Sequence, residues 1–273
     1  MKVTDKDYFM EKLLTQKLDL MINRMTGKNK QDNLILIDGD EGLGKTNMAA
    51  GLSYYISNKT GRSLTLANLF FDLDDLIKFT QETKEQIIWW DEGALGGLAN
   101  EWWKKNQKKF MKLLMVARKK RHFFIICIPK FFRLNEYFVV DRSIALIHVY
   151  ARNNIKLGRF VYFTKDAKEN LYYDWKRTRK RSYKKHYVFG GSFPEILGTI
   201  INEKEYDKKK DIAILSIDSE EERRTETQVK KELVIKFIEN IMKMEVKLTQ
   251  KDIAKGFNIT ERTIRSYYSQ IKE

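Results

Sequence analysis

Two short stretches carry residue types whose chemistry depends on their spacing. The first, NLILIDGDEGLGKT, contains Gly39-x-x-x-x-Gly44-Lys45-Thr46. The second, QIIWWDE, is an apolar run that stops at two adjacent acids, Asp91 and Glu92. Gly39, Gly42 and Gly44 let backbone N–H groups wrap a phosphate that side chains would crowd out, and a helix opening near Lys45 adds its positive dipole end. The glycine spacing, with a strand before it and a helix after it, is that of a phosphate-binding P-loop. The expected nucleotide cradle is therefore Gly39, Asp40, Glu41, Gly42, Leu43, Gly44, Lys45 and Thr46. Lys45 can reach the β- and γ-phosphates of ATP, and Thr46 can offer its hydroxyl to Mg²⁺.

The paired acids complete this chemistry. Asp91 is expected to hold the metal and Glu92 to polarise an attacking water. A single acid would suit transfer to a substrate hydroxyl, whereas two in succession favour hydrolysis. The predicted activity is that of an ATPase, with Lys45 and Glu92 in catalytic roles.

The elements that must position these residues can be read from periodicity. Residues 7–26 place Phe9, Leu13, Leu14, Leu18, Met21 and Ile22 at helical spacing. Strands are predicted at 33–40, 86–92, 122–129 and 143–151, with a short strand before a helix starting near Asp72 and a helix over 101–121. Alternating strands and helices predict an α/β fold, a parallel sheet covered on both faces. RFVYFTK (159–165) and NLYYDWK (170–176) read as an added β-hairpin. The chain is expected to divide into an ATPase domain (1–190), a polar linker (191–228) and a small all-α domain (229–273).

The 52 basic and 37 acidic residues give a net charge of +15, and the excess is concentrated. Residues 101–190 hold 24 of the basic residues and 6 of the acidic ones, while the rest of the chain is slightly negative. Local positive charge is what an anionic-polymer surface needs. Lys104, Lys105, Lys108 and Lys109 on the outer face of the 101–121 helix, and Arg179 and Arg181 in KRTRKRSYKKHY, are the expected phosphate contacts with DNA. One cysteine excludes an internal disulfide, and no run reaches the ~20 apolar residues of a membrane span. The N-terminus MKVTDKDYF does not resemble a secretion signal. The expectation is a cytoplasmic protein without membrane partners, in the host cytoplasm if virally encoded.

The motif pair resembles the P-loop ATPases that carry an additional strand and a catalytic glutamate. That group contains FtsK- and HerA-type DNA pumps, phage packaging ATPases and Zot-like proteins. The likeness covers roughly residues 30–152 and is specific at the two nucleotide motifs. It implies a RecA-like sheet and a homo-oligomeric ring in which an arginine of one subunit completes the next subunit's site. Arg118, Arg121, Arg133 and Arg142 are candidates for that arginine, with Arg118 or Arg142 preferred. One departure stands out. The strand after the acids runs into Pro129 and Lys130 where the group often has a polar sensor.

LTQKDIAKGFNITERTIRSYYSQIKE predicts a helix over Gln250–Gly256, a turn over 257–260 and a second helix over Glu261–Lys272. It resembles the helix-turn-helix of bacterial regulators, whose second helix enters a major groove. Arg262, Thr263 and Arg265 are the expected DNA contacts. Together these features predict an ATP-hydrolysing DNA motor, with a viral or mobile-element packaging ATPase ranked first and a portal, capsid or replication partner implied. The alternatives are a helicase, helicase loader or replication initiator, and a DNA-binding regulator or segregation protein switched by ATP.

Overall fold

The computed structural model describes residues 8–27, 31–91, 109–115, 117–128, 130–152, 156–243 and 248–272. The chain divides into two compact units, Met1–Ala213 and Ile214–Glu273.

The first unit is a mixed α/β fold of the RecA-like P-loop kind, built on one seven-stranded sheet. Its strands are β1 (Asn33–Asp38), β2 (Leu69–Phe70), β3 (Ile87–Asp91), β4 (Phe123–Cys127), β5 (Ala145–Arg152), β6 (Lys156–Phe163) and β7 (Phe189–Ser192). They lie in the order β2-β3-β4-β1-β5-β6-β7. The first five run parallel, and β6 and β7 extend the sheet antiparallel. Strand β4 thus lies between β1, which leads into the P-loop, and β3, which ends in Asp91. Every residue of β1, β3 and β4 is buried. Continuous apolar runs of this kind are required where helices cover both faces.

One face packs against α1 (Lys12–Thr26) and α2 (Lys45–Thr60), and Leu14, Leu18, Met21, Ile22 and Met25 supply the buried stripe of α1. The other face packs against α3 (Leu73–Glu82), α4 (the helical residues 109–115) and α5 (Lys165–Thr178). Asp72 caps α3 by accepting from the N–H groups of Asp74 and Asp75.

The hairpin forms from different residues than the sequence predicts. Strand β6 pairs with β5, while NLYYDWK is helical and belongs to α5. The tyrosines and tryptophan favour a strand locally. Thr164, however, caps the helix by accepting from Ala167 N–H, and Lys168, Leu171, Tyr172 and Trp175 then share one face against the core. Tertiary burial at helical spacing outweighs the local preference.

Residues 191–228 include the end of β7, the short helix α6 (Leu197–Ile200) and part of α7 (Glu203–Lys243). In the second unit, α7 carries Val234, Ile238 and Ile241 against Ile253 and Ala254 of α8 (Gln250–Gly256) and Ile264 of α9 (Glu261–Lys272). Asn258, at φ +51°, turns the chain between α8 and α9. Both helices keep the boundaries expected from sequence. Among the described residues, no helix is long and apolar enough to cross a membrane.

Candidate functional site: a phosphate loop and its neighbours

Strand β1 delivers its carboxyl end directly into the loop 39–44. Gly39 has φ +152°, and a Cβ there would stand 2.5 Å from the carbonyl oxygen of Val149 on β5. No side chain fits. Gly44, at φ +92°, caps α2, with the ring of Phe193 3.2 Å from where a Cβ would lie. Lys45 Nζ donates to Gly39 O at 2.7 Å and Asp40 O at 3.0 Å, which lays the ammonium across the loop. From there it can exchange those carbonyls for phosphate oxygens.

Thr46 and Asp91 are 45 positions apart, yet Thr46 Oγ1 donates to Asp91 Oδ2 at 2.7 Å. A hydroxyl beside a buried carboxylate at a phosphate loop fits Mg²⁺, which is held through one or two carboxylates plus substrate phosphates. The residues present therefore suit a nucleoside triphosphate with a divalent cation: residues 39–46 could hold the phosphates, and Thr46 and Asp91 the metal. Glu92, Lys104, Lys105 and Lys108 lie outside the described residues.

Lys130 forms an ion pair with Asp40, and this contact holds the Asp40 carboxyl below the usual carboxylate range. The residue standing at the sensor position thus reaches the phosphate loop. Pro129 lies outside the described residues.

Three partners of the site are not visible in its motifs. Tyr206, near the start of α7, is buried and donates to Asp91 Oδ2 at 3.1 Å. Burial, together with the adjacent Asp91 charge, pushes its phenol far above the ordinary value. Asn47 Oδ1 accepts from the N–H groups of Ile196 and Leu197, tying the chain after β7 to the helix that follows the loop. Asp38, the last residue of β1, accepts from Gly39 N–H at 2.6 Å and from the Tyr183 hydroxyl. These contacts span between 115 and 150 positions (Gly39 N–H apart), so neither spacing nor periodicity could have shown them. The one local signal was an acid, Asp38, ending an otherwise apolar strand.

The remaining predicted residues lie elsewhere. Arg142 is buried and ion-paired with Asp32, next to the amino end of β1, and also donates to Leu114 O. Arg118 is exposed and, with Asp32 and Arg142, lines a cavity of about 420 Å³ that Arg24, Lys119, Lys165 and Asp141 also border. Lys109 is exposed and pairs with Asp74. Arg179 caps the end of α5 at φ +58°, and Arg181 is exposed in the basic run. On α9, Arg262 and Arg265 are exposed, while Thr263 is half-buried and bonded to Thr260.

A glycine loop between a buried strand and a helix, with a threonine–carboxylate pair behind it, defines a P-loop NTPase. A family model agrees: residues 21–175, more than half of the chain, match Novel STAND NTPase 3. The chain belongs to that family, and its class of activity is nucleoside-triphosphate hydrolysis. No curated protein matches it in sequence. A chain from the solved structure described as "Structural Basis for Katanin Self-Assembly" is 13% identical with a TM-score of 0.38, covering 79% of this chain and 85% of that one.

Proposed function

We propose that this NTPase uses ATP with Mg²⁺ and couples its hydrolysis to DNA. Lys45 and the loop N–H groups bind the phosphates, Thr46 and Asp91 hold the metal, and Glu92 polarises the water. ATP·Mg²⁺, when bound, supplies the γ-phosphate and the charge that its oxygens share with the ion. The DNA part of the reading is carried by α9. Its buried Ile264 seats it on α7 and α8, and Arg262 and Arg265 remain exposed on its outer side. A helix held from behind with exposed cations in front, Arg265 within 3.6 Å of Glu261, suits a major groove.

Two forms of this function make opposite demands on turnover. A motor, working as a ring with an arginine supplied in trans, hydrolyses slowly alone and much faster on DNA. Packaging, with a portal or capsid partner, is one such motor and rests on the resemblance of the nucleotide motifs alone. An ATP-switched DNA-binding protein turns over slowly in either condition and changes its DNA affinity with the nucleotide. The Tyr206–Asp91 bond favours the switch, because α7 starts on the metal-binding acid and its later turns form part of the α8–α9 core.

ATP turnover of the whole chain with and without duplex DNA, beside Glu92→Gln, separates them. Strong stimulation that Glu92→Gln abolishes supports the motor. Slow, DNA-indifferent turnover with nucleotide-dependent DNA affinity supports the switch. Absence of both stimulation and DNA binding overturns the DNA reading.

A further inference from the structure

Beside the phosphate loop lies a cavity of about 620 Å³ lined by His148, Tyr150, Val161, Arg181, Tyr183 and Tyr187 among others. Its composition is unusual for a packed interior. Three tyrosines and a histidine supply flat ring faces, and Arg181 and the exposed Lys184 supply cations at its edge. His148 and Tyr183 stack with ring centroids 3.5 Å apart and planes 8° from parallel. His148 and Tyr150, two residues apart on β5, are also parallel, at 7°, but their centroids are 6.3 Å apart. Successive bases in a nucleic-acid strand lie about 3.4 Å apart. A ring between two others needs about twice that spacing, so His148 and Tyr150 must part slightly to admit one.

The inner edge of the His148 ring faces Asp38 rather than the cavity. His148 Nδ1 is buried without a hydrogen-bond partner, 3.8 Å from Asp38 Oδ2, too far for a hydrogen bond. The ring faces of His148 and Tyr150, not this nitrogen, are what the cavity offers. Tyr187, at 47% exposure, presents its ring near the cavity's edge although it is a large aromatic side chain.

We propose that this cavity takes a base of single-stranded nucleic acid, stacked against the His148–Tyr150 rings, with Arg181 and Lys184 on the adjoining phosphates. Aromatic platforms flanked by cations are how proteins hold single strands without reading sequence. The proposal rests on the reading above that nucleic acid is the partner, and it adds a second, single-strand site distinct from α9. It also gives that site a connection to the nucleotide. Tyr183 donates to Asp38, and Asp38 accepts from Gly39 N–H, the first amide of the phosphate loop. The Asp38 carboxylate stands between cavity and loop, which opposes threading one triphosphate ligand through both.

The test uses the whole chain and two fluorescein-labelled probes of equal length, oligo(dT) and its abasic counterpart, which keeps phosphates and lacks bases. The wild-type chain should bind oligo(dT) about tenfold more tightly than the abasic strand. Tyr150→Ala and Tyr187→Ala should remove that preference, and Arg181→Ala with Lys184→Ala should weaken both probes and flatten the salt dependence. Melting temperature of each variant checks folding, and Tyr187→Ala, altering an exposed side chain, serves if Tyr150→Ala does not fold. An unchanged base preference in the folded variants overturns the proposal. A raised KM for ATP with unchanged oligo(dT) affinity also overturns it and assigns the cavity to the base of the nucleotide itself. Failure here with intact duplex stimulation leaves the DNA reading standing, whereas a wild-type chain that binds neither probe nor duplex loses both.

Discussion

The two ends of strand β1 carry buried aspartates that are treated differently. At the amino end, Asp32 meets a full opposite charge in Arg142, and both side chains are nearly inaccessible. At the carboxyl end, Asp38 is just as buried but is held by Gly39 N–H and the Tyr183 hydroxyl, with His148 Nδ1 3.8 Å away, outside hydrogen-bond distance. An ion pair in a dry site is costly to separate, because either member left alone is an uncompensated charge. Neutral donors can be exchanged one at a time. The first end is closed by its charges, and the second can rearrange when a ligand arrives.

Breaking the closed end should give the largest effect on folding. Arg142→Met leaves Asp32 buried without its partner and is expected to cost about 3–5 kcal/mol, read by urea unfolding. Adding Asp32→Leu should restore most of the loss, because an apolar pair of similar size is close to neutral in such sites. If the single variant melts like the wild type, the two ends do not differ as described.

At the open end the corresponding loss should be in rate. Lys45→Ala should reduce ATP turnover on the order of 10²–10³-fold with little change in the unfolding midpoint. A large drop in stability would mean that the Lys45 bonds to Gly39 and Asp40 hold the loop together rather than await phosphate.

His122 sharpens the contrast by pH. It is fully buried near the amino end of the sheet, where its backbone carbonyl accepts from Asn33 N–H. Its ring accepts from Gln86 N–H on Nδ1 and faces Thr80 O on Nε2, the pattern of a neutral imidazole. Burial lowers its pKa to about 4, so between there and the unfolded value near 6.5 unfolding takes up a proton. This contribution is complete above pH 6.5 and is lost as pH falls toward 4, on the order of 3 kcal/mol in all. His122→Phe should flatten that part of a stability–pH curve, and an unchanged slope would assign the acid sensitivity elsewhere.

The smallest effect is expected at Tyr206. Tyr206→Phe removes one bond to the Asp91 carboxylate, worth about 1.5 kcal/mol at this kind of site. The informative readout is the Mg²⁺ dependence of turnover, which should shift severalfold if the phenol shares Asp91 with the ion. Identical Mg²⁺ titrations would reduce Tyr206 to core packing against Phe71.

The difference between the ends also explains what the sequence could reveal. The glycine conformations of the loop and the strand and helix around it were legible because glycine geometry, helix dipole and strand burial act over a few residues. The boundaries of α8 and α9 were legible for the same reason, with Thr249 capping locally. Tyr183, His148 and Tyr206 were not, since each acquires its role only when the sheet brings distant segments together. NLYYDWK misled because aromatic residues favour strands until a cap and a buried face are counted. The contact of Arg142, a candidate implied by the resemblance, with an aspartate 110 positions earlier was likewise beyond the reach of local pattern.

The return of the chain after β7 onto the phosphate loop has a consequence for biosynthesis. Phe193, packed on Gly44, and residues 196 and 197, bonded to Asn47, leave the ribosome roughly 150 residues after their partners, and Tyr206 follows 115 residues after Asp91. At about 5–20 residues per second, the nascent chain carries an incomplete nucleotide site for on the order of ten seconds or more. Closing so long a loop is also slow compared with forming local helices. The youngest form of this protein therefore has its glycines synthesised before the residues that pack around them, which arrive only after the last strand of the sheet.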